Sequence, residues 1–177
     1  MPSGKAHDAI SALLAAPVFG ATFAYFREPS IPAVLTVGFL FGAIMFGPDL
    51  DTHSQQYTRW GTFRFLWFPY QKFFPHRSRW SHGLIFGTFL RVVYFAGAVT
   101  VATFGIAYFL ATYRGGDLPR IVEFMDAWRS IGASVRSSFG EPALFSAFVG
   151  VWLGAASHTL TDIAVSYVKT GRTGEYL

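Results

Sequence analysis

Four long stretches of this 177-residue chain carry almost no charge, and they limit its fold more than any other feature. They run from Ala9 to Phe26, over residues 31–47, over residues 83–112 with Arg91 as the one interruption, and from Ala143 to about Val168. A helix that is apolar all round must be surrounded by protein or by lipid. The chain is 52% hydrophobic and 14% charged, where a soluble domain carries about 25% charge. These features predict an all-α fold. The expected architecture is a bundle of about four apolar, membrane-spanning helices plus one amphipathic helix, forming a single domain over residues 1–177.

The boundaries between runs carry local signals. Arg27-Glu28-Pro29-Ser30 reads as a turn, with Pro32 suited to a helix start, and Gly47-Pro48 as a helix stop. The first run has the outline of a secretory leader, but a His7-Asp8 pair directly before the apolar core is atypical of one. Between Asp49 and His82, five Lys or Arg residues alternate with Trp60, Phe63, Phe65, Trp67, Phe68, Tyr70, Phe73 and Phe74. That mixture suits a segment at the lipid headgroup level. It would also suit single-stranded nucleic acid, with bases stacked on the rings, but the apolar neighbours favour the membrane. Residues 113–142 place Ile121, Phe124, Met125, Trp128, Ile131 and Val135 at helical spacing, as an amphipathic helix would.

Four spans put the N-terminus, the 48–82 loop and the C-terminal tail on one side. That side collects eight Lys or Arg residues against five on the other, with Arg91 in a span and free to snorkel. The expected location is therefore a bacterial inner membrane, multi-pass, with this end facing the cytoplasm. The same end collects the unusual polar residues His7, Asp8, Asp49, Asp51, His76 and His82. His158 and Asp162 fall in the same half of the fourth span.

His158 and Asp162 share one helix face and are costly in an apolar segment unless paired. Either a metal or a simple His–Asp hydrogen bond, helped by Ser157 or Thr161, would satisfy them. Asp49-Leu50-Asp51 is either a cation-neutralised carboxylate pair or ordinary turn chemistry, with His53 a further candidate nearby. His76 and His82 cannot share a helix face, and Arg77 and Arg79 face either a phosphate or anionic headgroups. His7-Asp8 could equally be a solvated helix start. Taken together, this many histidines and aspartates at one end point to one bound divalent cation, or two bridged by a carboxylate. With no cysteine in the chain, the ligands must be nitrogen and oxygen, which suits zinc, with manganese or iron as alternatives.

The segments MPSGKAHD, FGPDLDTHS, RWGTFRFLWFPYQKFFPHRSRWSHG and SHTLTD resemble a bacterial family of metal-binding proteins. That family is similar to the predicted membrane-bound metal-dependent hydrolases and distantly like zinc-dependent phospholipase C. The resemblance implies a helical fold with metal ligands at His7, Asp49, Asp51, His76, His82, His158 and Asp162, and Asp8 as ligand or base. The activity expected is hydrolysis of a phosphoester or other small or lipid-phosphate substrate beside membrane lipid. Water activated by the metal attacks, Asp8 or Asp51 serves as base, and Arg77 or Arg79 holds the phosphate. The alternative is a non-catalytic, structural or regulatory metal-binding membrane protein.

Overall fold

The computed structural model describes residues 4–74, 78, 83, 84 and 86–171. Among these there are seven α-helices, two 3-10 turns and no strand. In chain order the helices are α1 (Gly4–Phe26), α2 (Ser30–Ile44), α3 (Gln55–Arg59), α4 (Phe68–Phe73), α5 (Phe86–Arg114), α6 (Ile121–Phe139) and α7 (Ala143–Thr170). The 3-10 turns are Pro48–Asp51 and Gly61–Trp67.

The frame of the molecule is α2 held between α1 and α7. Its buried face comprises Ile31, Pro32, Leu35, Gly38, Phe39, Gly42 and Ala43. Two pairs of glycines, Gly38 with Gly42 and Gly150 with Gly154, let the backbones of α2 and α7 meet directly. A Cβ built on Gly38 would lie 2.7 Å from the Ala147 carbonyl oxygen. One on Gly42 would collide with Val151, one on Gly150 with Leu35, and one on Gly154 with Phe39. Small residues four apart allow this close approach wherever apolar helices pack. The pairings rise together along both helices, so α2 and α7 run parallel and end on the same side. Helix α1, joined to α2 by a short turn, brings its N-terminus to that same end.

The expected second span is shorter than its apolar run. Helix α2 has 15 residues, about 22 Å of helix, against a hydrocarbon core of roughly 30 Å. The chain unwinds at Met45 because Gly47 and Pro48 turn it into the Pro48–Asp51 element. Three helices, α1, α5 and α7, are long and apolar enough to cross a membrane.

The aromatic segment divides in two. Trp67 and Tyr70 are fully buried and, with Phe46, Leu50 and Tyr57, form the core beneath the turn. Trp67 stacks on Phe95 of α5 with ring centroids 5.6 Å apart, and the Tyr94 hydroxyl donates to the Leu66 carbonyl. Phe63, Phe65, Phe68 and Phe73 are exposed. Arg91 does not snorkel. It is 2% exposed, donates to the Thr88 hydroxyl at 3.0 Å and lies in the field of Asp51 and Asp49. Past Arg91 no residue of α5 is buried.

Helix α6 is the expected amphipathic element. Its start is closed by Glu123, whose side chain accepts from the backbone N–H and guanidinium of Arg120, which lowers the Glu123 pKa. Trp128 donates to Thr100 of α5 at 2.8 Å. Ile121, Met125 and Ile131 remain exposed.

Candidate metal centre

The glycine stripe that seats α7 on α2 continues at the same four-residue step into His158 and Asp162. Gly150, Gly154, His158 and Asp162 therefore share one face. Where α2 ends at Ile44, that face no longer meets backbone, and the two polar residues fill the space beyond. His7 comes from α1, one turn before Ser11, and these are the two buried residues of that helix. Asp49 arrives on the Pro48–Asp51 turn. Three regions far apart in sequence thus deliver four side chains to one place.

The contacts are close. His7 Nε2 lies 3.1 Å from Asp162 Oδ1. His158 Nε2 lies 3.3 Å from Asp49 Oδ2 and 3.8 Å from Asp162 Oδ2. The two imidazoles stack with centroids 3.9 Å apart and planes 15° from parallel. One donor atom each from His7, His158 and Asp162 falls within 4.8 Å of the others, and all three residues are buried. Asp162 bonds to His7 rather than closing a turn with His158. Ser157 and Thr161 donate to carbonyls of their own helix, Gly154 and Ser157, so neither helps the pair.

Two ring nitrogens carry the chemical signal. His7 Nδ1 and His158 Nε2 are buried and make no hydrogen bond. Around His158 Nε2 two carboxylate oxygens are near, yet neither lies in hydrogen-bonding geometry. Ligands about 2.0–2.1 Å from a tetrahedral zinc sit about 3.3–3.4 Å from one another. The observed 3.1, 3.3 and 3.8 Å separations bracket that spacing. The residues present fit a small divalent cation bound by nitrogen and oxygen.

A cavity of about 140 Å³ opens onto the cluster. Asp8 stands on its wall, gripped by both arms of the Arg59 guanidinium, with Arg59 Nη1 at 3.0 Å from Asp8 Oδ1. Arg59 also donates to the Ile44 carbonyl at 2.8 Å, which ties α3 to the end of α2. Gln56, 4% exposed, places its amide nitrogen 2.8 Å from the Ala43 carbonyl and 3.4 Å from His158 Nδ1.

The remaining expected residues are placed differently. Asp51 is buried but does not line this cavity; its field reaches Arg91 and Tyr70. Burial pushes the Tyr70 hydroxyl pKa up, and the nearby Arg91 charge opposes that rise. His53 is exposed and meets the edge of Tyr57, with centroids 5.0 Å apart. His76, His82, Arg77 and Arg79 lie outside the described residues. Sequence reasoning missed Gln56 and Arg59. The available signal was a glutamine and an arginine on one short helix immediately after the Asp49–Asp51 turn.

Among known proteins, one from Aquifex aeolicus (strain VF5), described as an uncharacterized protein, is 28% identical over 134 residues. The match covers 75% of this chain and 90% of that protein. No solved structure matches. Residues 2–172 match DUF2227, described as uncharacterized metal-binding proteins, and the chain belongs to that family.

Proposed function

We propose that His7, His158, Asp162 and Asp49 hold one divalent cation, zinc by preference, and that the protein is a metal-dependent hydrolase of a phosphoester at a membrane surface. The observation carrying the first part is His158 Nε2, buried between two carboxylates at 3.3 and 3.8 Å without hydrogen bonding to either. A buried ring nitrogen that faces two carboxylates and bonds to neither is what a cation would satisfy and what a hydrogen-bond network avoids.

The cavity supports the hydrolase reading. A divalent ion there supplies Lewis acidity toward water and a phosphoryl oxygen. Asp8, oriented by Arg59, is the cavity-wall carboxylate outside the proposed ligand set and the one that would serve as base. The apolar surfaces of α1, α5 and α7 support a membrane location, and the excess of positive residues at the site end supports a cytoplasmic orientation. Burial of His7, His158 and Asp162 also supports the second reading, a closed structural or regulatory metal site.

Elemental mass spectrometry on detergent-purified protein tests the metal claim, using wild type, His7→Ala, His158→Ala and Asp162→Asn, with folding of each checked by circular dichroism. About one equivalent of metal is expected in wild type, and loss in every folded variant. Metal-free wild type after replenishment sinks the proposal. Turnover of a phosphodiester such as bis-p-nitrophenyl phosphate by loaded wild type, abolished by Asp8→Asn, then separates a hydrolase from a structural site.

A further inference from the structure

The ring nitrogen of His158 that faces away from the carboxylates touches Gln56. That glutamine is held unusually firmly for a side chain on a five-residue helix. Its amide nitrogen lies between the Ala43 carbonyl at 2.8 Å and His158 Nδ1 at 3.4 Å. Its other face rests on Gly47, where any Cβ would strike the amide and come within 2.8 Å of its carbon. Gly47 has φ −79°, open to every residue, so its smallness serves the amide and not the backbone. The amide oxygen is buried with no hydrogen-bond partner.

We infer that Gln56 is a positioning residue that decides which nitrogen of His158 carries the proton, and so which is open to a metal; this rests on the metal-site reading above. As placed, the amide nitrogen donates to Nδ1. In the neutral ring that leaves the proton on Nε2, facing Asp49 and Asp162. An ion binding at Nε2 needs the opposite tautomer, with the proton on Nδ1 and an acceptor beside it. Gln56 supplies that acceptor only by turning its amide, which brings the free oxygen to Nδ1 and releases the Ala43 carbonyl. The glutamine thereby favours the metal-free tautomer of His158, at a cost in affinity. Glutamate at this position can only accept, so it fixes the metal-ready tautomer; methionine fills the space and selects neither.

Two measurements test this on the full-length protein in detergent. Nitrogen-15 NMR of labelled histidine in the metal-free protein, with His158→Ala to assign the signal, reads the tautomer directly. Wild type is expected to show Nε2–H at a pH where the ring is neutral, and Gln56→Glu to show Nδ1–H. Zinc affinity, by competition with a chromophoric chelator, is expected to be about 10–100-fold tighter in Gln56→Glu than in Gln56→Met. Cobalt(II) absorption of the Glu and Met variants is expected to differ through the altered ligand field at His158. Gly47→Ala, which displaces the amide without touching Gln56 chemically, is expected to bind zinc like the Met variant and remains informative if the buried glutamate prevents folding. An unchanged tautomer in Gln56→Glu, or equal zinc affinity in the Glu and Met variants, overturns the inference. Because the NMR readout needs no metal, it separates this failure from failure of the metal site itself.

Discussion

At the scale of single residues, the side chains that matter here are paired by geometry rather than by proximity in sequence. Glu28 shows how local such a device can also be. Its carboxylate accepts from the Ser30 hydroxyl at 2.6 Å, the Ser30 N–H at 3.1 Å and the Ile31 N–H at 3.2 Å, closing the first turn of α2. The Ser30 hydroxyl is the main cause of its lowered pKa, followed by the two backbone N–H groups. A carboxyl whose folded pKa is depressed adds stability above its unfolded pKa, and loses it as pH falls through the folded value. Glu28→Gln is therefore expected to melt below wild type at neutral pH, with the gap closing in acid. A constant gap across thermal melts at several pH values would assign the effect to packing instead. His158 and Asp162 were legible in the sequence because a polar pair in an apolar helix is conspicuous. Gln56 and Arg59 were not, since a polar residue in a mixed polar and aromatic segment gives no sign of what the fold sets beside it.

Helices were the easiest elements to anticipate, because hydropathy reports them directly. Their ends were harder. The uncharged run of residues 31–47 conceals a stop at Ile44, since Met45 and Phe46 leave the helix without leaving the core. Within the aromatic segment, nothing in composition separates the buried Trp67 and Tyr70 from the exposed Phe63 and Phe73, because the short helices there show no sustained period. The glycine contact between α2 and α7 becomes visible only once both partners are known, and it fixes the register that sets His158 opposite Asp49. Gly154→Ala is expected to cost about 1–3 kcal/mol by forcing the two backbones apart. It should also weaken metal binding from a full turn away. Gly97→Ala, on α5 with nothing within 4 Å, is expected to stabilise by about 0.5–1 kcal/mol. Thermal melts and metal titration of the two variants check this contrast, and similar behaviour in both would remove the special role given to the glycine stripe.

For the whole molecule, the parallel course of α2 and α7 separates two ends. One holds the cluster, the turn after α2 and the N-terminus of α1. The other holds the α1–α2 turn and the start of α7. In the proposed orientation the first end faces the cytoplasm. The absence of native cysteine makes the test clean: His53→Cys is expected to react with a membrane-impermeant maleimide only in inverted vesicles, and Glu141→Cys only in right-side-out ones. Labelling of both from one side would refute the arrangement. The site also has a calendar. His7 and Asp162 are 155 positions apart, so at about 5–20 residues per second the ribosome needs about 8–30 s to make the second after the first. Through that interval α1 would hold only its own part of the proposed centre. A nascent chain arrested before Asp162 is expected to retain no stoichiometric metal, whereas one released after α7 should acquire it. On the proposed site, metal loading would then follow the meeting of α1 with α7.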